Sequence, residues 1–339
     1  MKKVILTILC LGVLTSLHAQ QFAKVGTAGA QFLKIGAGAR MTGMGGACMA
    51  LVDDASAIFW NPGALVRVEN FSLFTSHVEW MADIRYEAIG IAKTLPGIGS
   101  VGLSASLLTS GDMDITTYQQ QEGTGETFSK TDMLIGLTFA RYLTDRFSFG
   151  GSVKYVRENY GTENTMTGEG EIASALAFDI GAIYQTGFRS LRMGISIQNF
   201  GPELQIPGQY EDITGYDSKA QEYVHEPAED YRPYHMPLMF RVGIAMDLFE
   251  SEMNKITVTS DLIHPNDNVE QILIGGEYWF RGLLALRGGF IGNHDAAKFA
   301  AGGSVKFSLS DNEEASLDYS YTDYGILDMV HQMSLVVNF

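Results

Sequence analysis

The chain has 339 residues, with 39 acidic side chains against 23 lysines and arginines and a formal net charge of −16. So acidic a protein lacks the basic stripes that phosphate backbones need, which excludes nucleic acid as a partner. Cys10 and Cys48 are its only cysteines, too few for a disulfide framework or a thiolate metal cluster.

In chain order, Lys2 and Lys3 precede an apolar run, Val4 to Leu17, and Ala19 stands just before Gln20 and Gln21. That is the pattern of a secretory signal peptide, so residues 1–20 are expected to be cleaved off. Cys10 has apolar residues after it and no small residue before it, which argues against a lipoprotein anchor. The expected mature chain of 319 residues carries 21 basic and 39 acidic side chains, a net charge of −18. No later apolar segment approaches the roughly 20 residues of a membrane-spanning helix, so any membrane crossing falls to strands.

Residues 21–69 do not alternate in polarity. They hold a Gly/Ala-rich stretch, Gly36 to Ala47, that includes Gly38, Arg40, Gly45 and Gly46, then a second run with Asp53, Asp54, Trp60, Asn61, Pro62 and Gly63. The glycines lack the Lys-Ser/Thr ending of a phosphate loop and the strand and helix of a dinucleotide fold. Small residues instead suit close backbone packing. About 50 residues, too polar for lipid and too short for a separate domain, predict a hatch or plug inside a barrel, on the same side as the C-terminus.

From residue 70 to 339 one unit recurs, a strand of roughly ten residues alternating in polarity and then a turn. Strands are predicted at 70–79, 84–94, 98–109, 131–142, 146–158, 173–186, 189–199, 236–249, 254–264, 269–280, 283–292, 297–309, 314–322 and 328–339. Short links at Pro96-Gly97, Thr144-Asp145, Gly187-Phe188, Ser251 to Met253, Arg281-Gly282 and Ser310 to Glu313 alternate with the class that holds the long links 110–130, 159–172 and 200–235. An even count with short and long links in turn predicts an all-β fold, a 14-stranded antiparallel transmembrane β-barrel surrounded by outer-membrane lipid. A soluble β-sandwich or β-helix also alternates, so polarity alone leaves it open.

On the faces opposite the apolar ones stand Lys154, Asp179, Arg192, Arg241, Asp247, Glu277, Arg287 and Asp318. As lumen charges they are expected to pair across the interior or with the plug. The link 200–235 carries Glu203, Glu211, Asp212, Asp217, Glu222, Glu226, Glu229 and Asp230 with Tyr210, Tyr216, Tyr223, Tyr231 and Tyr234 interleaved. Such tyrosines suit a protein partner, whereas a solvated acidic loop needs none. The last strand puts Met329, Met333, Leu335, Val337 and Phe339 on one face, with Val330 and Val336 as exceptions on the other. Phe339 is therefore read as an assembly signal; a charge at Leu335 is expected to block assembly and one at Ser334 to be tolerated.

The run Gly29 to Arg40, then Gly43-Met44-Gly45-Gly46-Ala47, Asp53-Asp54-Ala55 and Trp60-Asn61-Pro62, resembles the PorV/PorQ family, a branch of the FadL-like group of fourteen-stranded barrels. Pro237 to Gly243, Asp261 to Asn268, Gly276 to Phe280 and Leu284 to Gly289 carry the same resemblance. It implies a cell outer membrane protein of type IX secretion, whose partners are secreted cargo proteins with a C-terminal signal domain and secretion-system barrels. The alternative it carries is a FadL-like transporter of hydrophobic small molecules. In that group the Asn-Pro pair is followed by Ala, where this chain has Gly63.

Nothing points to an enzyme. His77, His225, His235, His264, His294 and His331 are scattered without a paired metal spacing, and no Gly-x-Ser-x-Gly elbow occurs. Pro265 to Asn268 offers oxygens to Ca²⁺, but an Asn/Asp turn needs no metal. No cofactor is expected.

Overall fold

The computed structural model describes residues 25–117, 119–163, 170–210, 213–217, 222–225, 227–310 and 313–339. The expected signal peptide, 1–20, lies outside the described residues, as do Glu211, Asp212 and Glu226 of the acidic link. For Tyr216, Asp217, Glu222 and Tyr223 only the backbone is described.

Among the described residues fourteen long strands form one closed, wholly antiparallel barrel in which each strand pairs with its neighbours in sequence. They are β1 Phe71–Glu79, β2 Arg85–Leu95, β3 Gly99–Thr109, β4 Thr131–Thr144, β5 Phe147–Glu163, β6 Gly170–Gln185 and β7 Arg192–Phe200. The second half is β8 Met239–Glu250, β9 Asn254–Pro265, β10 Gln271–Phe280, β11 Leu284–Gly292, β12 Phe299–Ser310, β13 Glu313–Asp323 and β14 Met329–Asn338. Each overlaps its predicted range. The largest extension is at β5 and β6, which continue past a bulge to pair Glu163 with Gly170 beyond the expected ends at 158 and 173. The ring closes where β1 meets β14, with Phe74 opposite Val336 and Thr75 opposite Leu335.

Alternation explains the wall. In β7, Met193 and Ile195 are exposed while Gly194, Ser196 and Gln198 are buried. The same division holds Leu103, Leu137, Phe178, Ile274, Leu286 and Leu317 outside on other strands. An apolar belt on the outer face with polar groups buried inside is the reverse of a soluble protein's arrangement. Val330 and Val336, the two apolar exceptions of the last strand, point inward and are 5% exposed. They pack in the interior core, which the alternation alone did not anticipate.

That core is supplied largely by Val25 to Glu69. Its elements are short: a 3-10 turn Gln31–Lys34, helix α1 Ala39–Thr42, helix α2 Ala57–Trp60 and a 3-10 turn Pro62–Arg67. Glycine punctuation keeps them so. Gly38 precedes α1 at φ 106°, and Gly45 and Gly46, at 68° and 77°, turn the chain away after it, a conformation costly for any residue with a Cβ. Asn61 caps the second 3-10 turn by accepting from Gly63 N at 3.1 Å, with Pro62 at its first position. Met41, Met44, Cys48, Met49, Val52 and Leu65 of this inner segment are fully buried.

The long links carry small hairpins of their own, pairing Met113–Asp114 with Thr127–Phe128, Gln209–Tyr210 with Glu229–Asp230, and Ile213–Asp217 with Glu222–His225. No helix among the described residues is long and apolar enough to cross a membrane.

Candidate functional site

The inner segment begins at the end of the barrel that bears the long links. Gly29 N donates to His235 O at 2.9 Å, and Ala30 N to Glu158 Oε1 at 3.1 Å. Lys34 Nζ lies 2.5 Å from Asp267 Oδ1, and Gln31 Nε2 donates to Asp267 Oδ2 at 2.8 Å, so the carboxylate of the Pro265 to Asn268 turn is occupied by the protein itself. Glu158 also accepts from Lys130 Nζ at 3.2 Å and from Tyr234 Oη at 2.8 Å. Two of the loop tyrosines are thus turned onto the rim: Tyr234 on Glu158, and Tyr231, which donates to Glu171 at 2.7 Å.

Midway down, Arg40 donates from Nε and Nη2 to the two oxygens of Glu277 at 3.1 and 3.2 Å. Glu277 also receives Arg287 Nε at 2.6 Å, and Arg287 Nη1 reaches Asp318 at 3.1 Å, with Ser304 bridging that last pair. On its other side Arg40 pairs with Asp53 and lies 3.7 Å from Asp54. Burial weakens Arg40's hold on its proton, but Asp53, Glu277 and Asp54 reverse this and leave its pKa raised. Burial holds the Asp54 carboxyl above its usual value even with Arg40 beside it. A chain of alternating charges therefore ties the inner segment to β10, β11 and β13.

A second anchor is Asp261 on β9. Its Oδ2 accepts from the amides of Cys48 and Met49 at 2.8 and 3.0 Å, and Arg241 on β8 stands 3.7 Å away. Arg241 donates to Gly46 O at 2.7 Å and covers the Trp60 ring at 5.1 Å, while Trp60 Nε1 donates to Ala37 O at 2.7 Å. Asn61 Nδ2 donates to Met49 O at 2.8 Å and to Ala182 O on β6 at 3.2 Å.

Wall glycines bring the two backbones together. A Cβ at Gly289 would sit 2.1 Å from Met44 C, and one at Gly194 2.1 Å from Met49 O. Gly63 is held as closely: a Cβ there would lie 2.6 Å from Gly181 O. At the short-turn end Arg67 Nη1 donates to the carbonyls of Ala50, Leu51 and Val52, and Val68 leads into β1. The segment thus runs from the long-link rim, at Gly29 and Ala30, to the short-turn rim, at Arg67 and Val68, where the C-terminal strand also ends. Its polar anchors are spread over both ends, which residue periodicity cannot reveal.

All eight charges read as luminal lie on inward faces, in four groups: Lys154 with Asp179 at 2.7 Å, Arg192 with Asp247 at 3.1 Å, Arg241 with Asp261, and Glu277 with Arg287 and Asp318. Asp261, Glu158, Lys34 and Asp267 were absent from that reading. Asp261 shares its face with Thr257 and Thr259, and Glu158 continues the inward face of Lys154 and Val156, so the alternation marks both; Lys34 and Asp267 sit in turns, where alternation stops. Ser334 also proves to be packed, 4% exposed and accepting from Ala39 N at 3.0 Å, because the lumen at its level is filled with chain instead of water. A charge there is therefore not a neutral change.

The family model for the type IX secretion system protein PorV matches residues 18–265. The chain belongs to this family. Among curated proteins no sequence matches it. In fold it is similar to FadL-like barrels: the toluene transporter TodX of P. putida (13% identity, 90% of this chain and 99% of that one, TM-score 0.58), the toluene transporter TbuX of Ralstonia pickettii (14%, 89% and 97%, 0.55) and a Pseudomonas aeruginosa FadL homologue (11%, 89% and 98%, 0.53).

Open spaces remain among the described residues. Beside Lys154, Asp179 and Asn199 an enclosed interior cavity, also bounded by Leu33, Ile58 and Tyr86, has a volume of about 30 Å³. A groove of about 510 Å³ lies against Phe280, Leu284, Leu286, Val305, Leu317 and Tyr319 of β10 to β13. A cleft of about 330 Å³ opens between Asp53, Arg67 and the links at Arg146 and Arg189.

Proposed function

We propose that this PorV-family chain is an outer-membrane barrel of the type IX secretion apparatus, one that performs no chemistry and works by binding secreted cargo and the secretion-system barrels. In this reading residues 1–20 are the signal peptide, 21–69 the hatch and 70–339 the membrane-embedded wall, with Phe339 part of the assembly signal. Gly38, Arg40, Gly45, Gly46, Asp53, Asp54, Trp60, Asn61 and Pro62 act as the hatch lock, and the luminal charges as its sockets. The exposed apolar belt supports the membrane setting.

The observation that carries the reading is the filled interior. With the hatch held by Asp261, Glu277 and wall glycines, the cavity beside Lys154 has room for a water molecule or two and not for a hydrocarbon. A barrel so filled acts through its rims and outer face. Affinity purification of the tagged chain from its native membranes tests this, and secreted proteins with a C-terminal signal domain or a secretion barrel should co-purify. Recovery of neither, together with normal secretion in a deletion strain, would refute it.

The second reading, a transporter of hydrophobic small molecules, is favoured by the solved toluene transporters of the same fold and by the apolar groove on β10 to β13. It requires the hatch to move. Loss of uptake of a hydrophobic compound on deletion, with secretion intact, would decide for it.

A further inference from the structure

The short-turn mouth concentrates positive charge in a chain that is acidic as a whole. Arg67 closes the last turn of the inner segment, Arg146 lies in the β4–β5 link, Arg189 in the β6–β7 link, and Arg192 opens β7. All four line the 330 Å³ cleft, with Asp53 the one acid on its wall. Four of the twelve arginines of the sequence thus meet at a single opening.

Two of the acids nearby are already engaged, and Asp145, next to Arg146 in the link, is not part of the cleft wall. Asp53 pairs with Arg40, and Asp247 holds Arg192 while accepting from Thr257 at 2.7 Å and standing 3.6 Å from Lys255. Arg67 spends Nη1 on three carbonyls, and its Nη2 has no acceptor among the described residues; Nε of Arg192 is in the same state. Arg146 and Arg189 are exposed and make no ion pair among the described residues. Arg189 is held at φ 49° with its guanidinium 5.6 Å from the Phe188 ring, and the Arg146 guanidinium passes close over Gly187, so close that a Cβ there would lie 2.7 Å from Nη1. The two exposed side chains thus lie across the Phe188 ring and the Gly187 backbone at the cleft mouth.

We infer that this cleft is a binding site for a multiply charged phosphate group, with Arg146 and Arg189 as its direct contacts and Arg67 and Arg192 as the fixed charge behind them. Guanidinium forks match phosphate oxygens two at a time. A group carrying two or more negative charges balances the surplus of Arg67, Arg146 and Arg189, which one carboxylate would not. Two sources share this chemistry, a soluble compound such as pyrophosphate and the two-phosphate headgroup of a cardiolipin-type lipid from the adjoining leaflet. The inference stands whether the barrel serves secretion or transport, since it uses neither rim loops nor a hatch opening.

Inorganic pyrophosphate titrated into the folded chain in neutral detergent, followed by calorimetry, is the test. Saturable binding is expected, weakened about tenfold or more in Arg146→Ala/Arg189→Ala. In Arg141→Ala/Arg281→Ala, which removes the same charge at the same end but outside the cleft, binding should stay within about twofold of wild type. Circular dichroism and heat-dependent gel migration check that both variants are folded. Repeating the titration in nanodiscs with and without cardiolipin separates the sources: displacement by this two-phosphate lipid assigns the site to a headgroup, and undiminished binding assigns it to a soluble phosphate. No saturable binding in either medium, or equal loss in both double variants, would overturn the site.

Discussion

Arg40 and Glu277 form a two-pronged ion pair between the inner segment and the barrel wall, with nitrogen–oxygen distances of 3.1 and 3.2 Å. Because Glu277 is 2% exposed in its side chain, it depends on Arg40 and Arg287 to offset its lost hydration.

Removing one partner of such a pair costs about 3–5 kcal/mol, since a buried charge is left partly unmatched. Arg40→Gln is accordingly expected to loosen residues 36–55 while the barrel strands keep their pairing. Hydrogen exchange read segment by segment tests this, with β10 and β11 as internal reference. Unchanged protection over 36–55 would mean that the pair does not hold the segment.

Cys48 supplies a chemical reporter for the same event. Its side chain is fully buried, and burial pushes the thiol well above its usual pKa, with Arg241 pulling the other way. Native protein should resist maleimide labelling at this residue. In Arg40→Gln, and likewise in Asp261→Asn, which weakens acceptance from the Cys48 and Met49 amides, labelling should quicken by roughly a hundredfold for ~3 kcal/mol of lost docking.

Gly288 and Gly289 are adjacent and should respond in opposite ways. Nothing lies within 4 Å of a Cβ built at Gly288, whereas at Gly289 the Met44 carbonyl carbon would be 2.1 Å away. Gly289→Ala should destabilise docking by about 1–3 kcal/mol or more through overpacking. Gly288→Ala should be neutral or gain up to about 0.5–1 kcal/mol, because glycine is a poor strand residue. Denaturant titration followed by Trp60 fluorescence separates them.

Leu335 and Ser334 test the two faces of the closing strand through different readouts. Leu335→Arg places a charge on the outer belt at a cost of up to about 2–4 kcal/mol, smaller towards the interface, and should reduce the assembled fraction on a heat-modifiability gel. Ser334→Asp puts a larger, charged side chain into the packed place where the hydroxyl accepts from Ala39 N, so the wall should assemble while residues 36–55 lose exchange protection. Equal assembly and equal protection in both variants would contradict the placement of the faces.

The wall was legible in the sequence because lipid-facing and inward positions must alternate, and each strand states that rule again. Even so, the period is blind to what fills the inside: Val330, Val336 and Ser334 look like exceptions or free positions until the segment packed against them is known. The Gly/Ala run announced close packing and the Asn61-Pro62 pair a family, but neither fixes direction. That the segment starts beside Glu158 and Asp267 follows from single long-range pairs, at separations no local pattern encodes. Asp261 could have been found by counting along β9, whereas Lys34 could not.

The path of the inner segment also bears on how the molecule comes into being. It touches wall strands all around the ring and receives hydrogen bonds from, or gives them to, Gln332 and Ser334 of β14, the strand that closes the ring against β1. As the molecule assembles, the thread therefore gives β1 and β14 a common partner, Ser72 accepting from Ala55 N and Ser334 from Ala39 N, and so brings the two edges of the seam together. A poorly docked thread should leave an assembled wall whose β1–β14 seam opens before its other strand pairs.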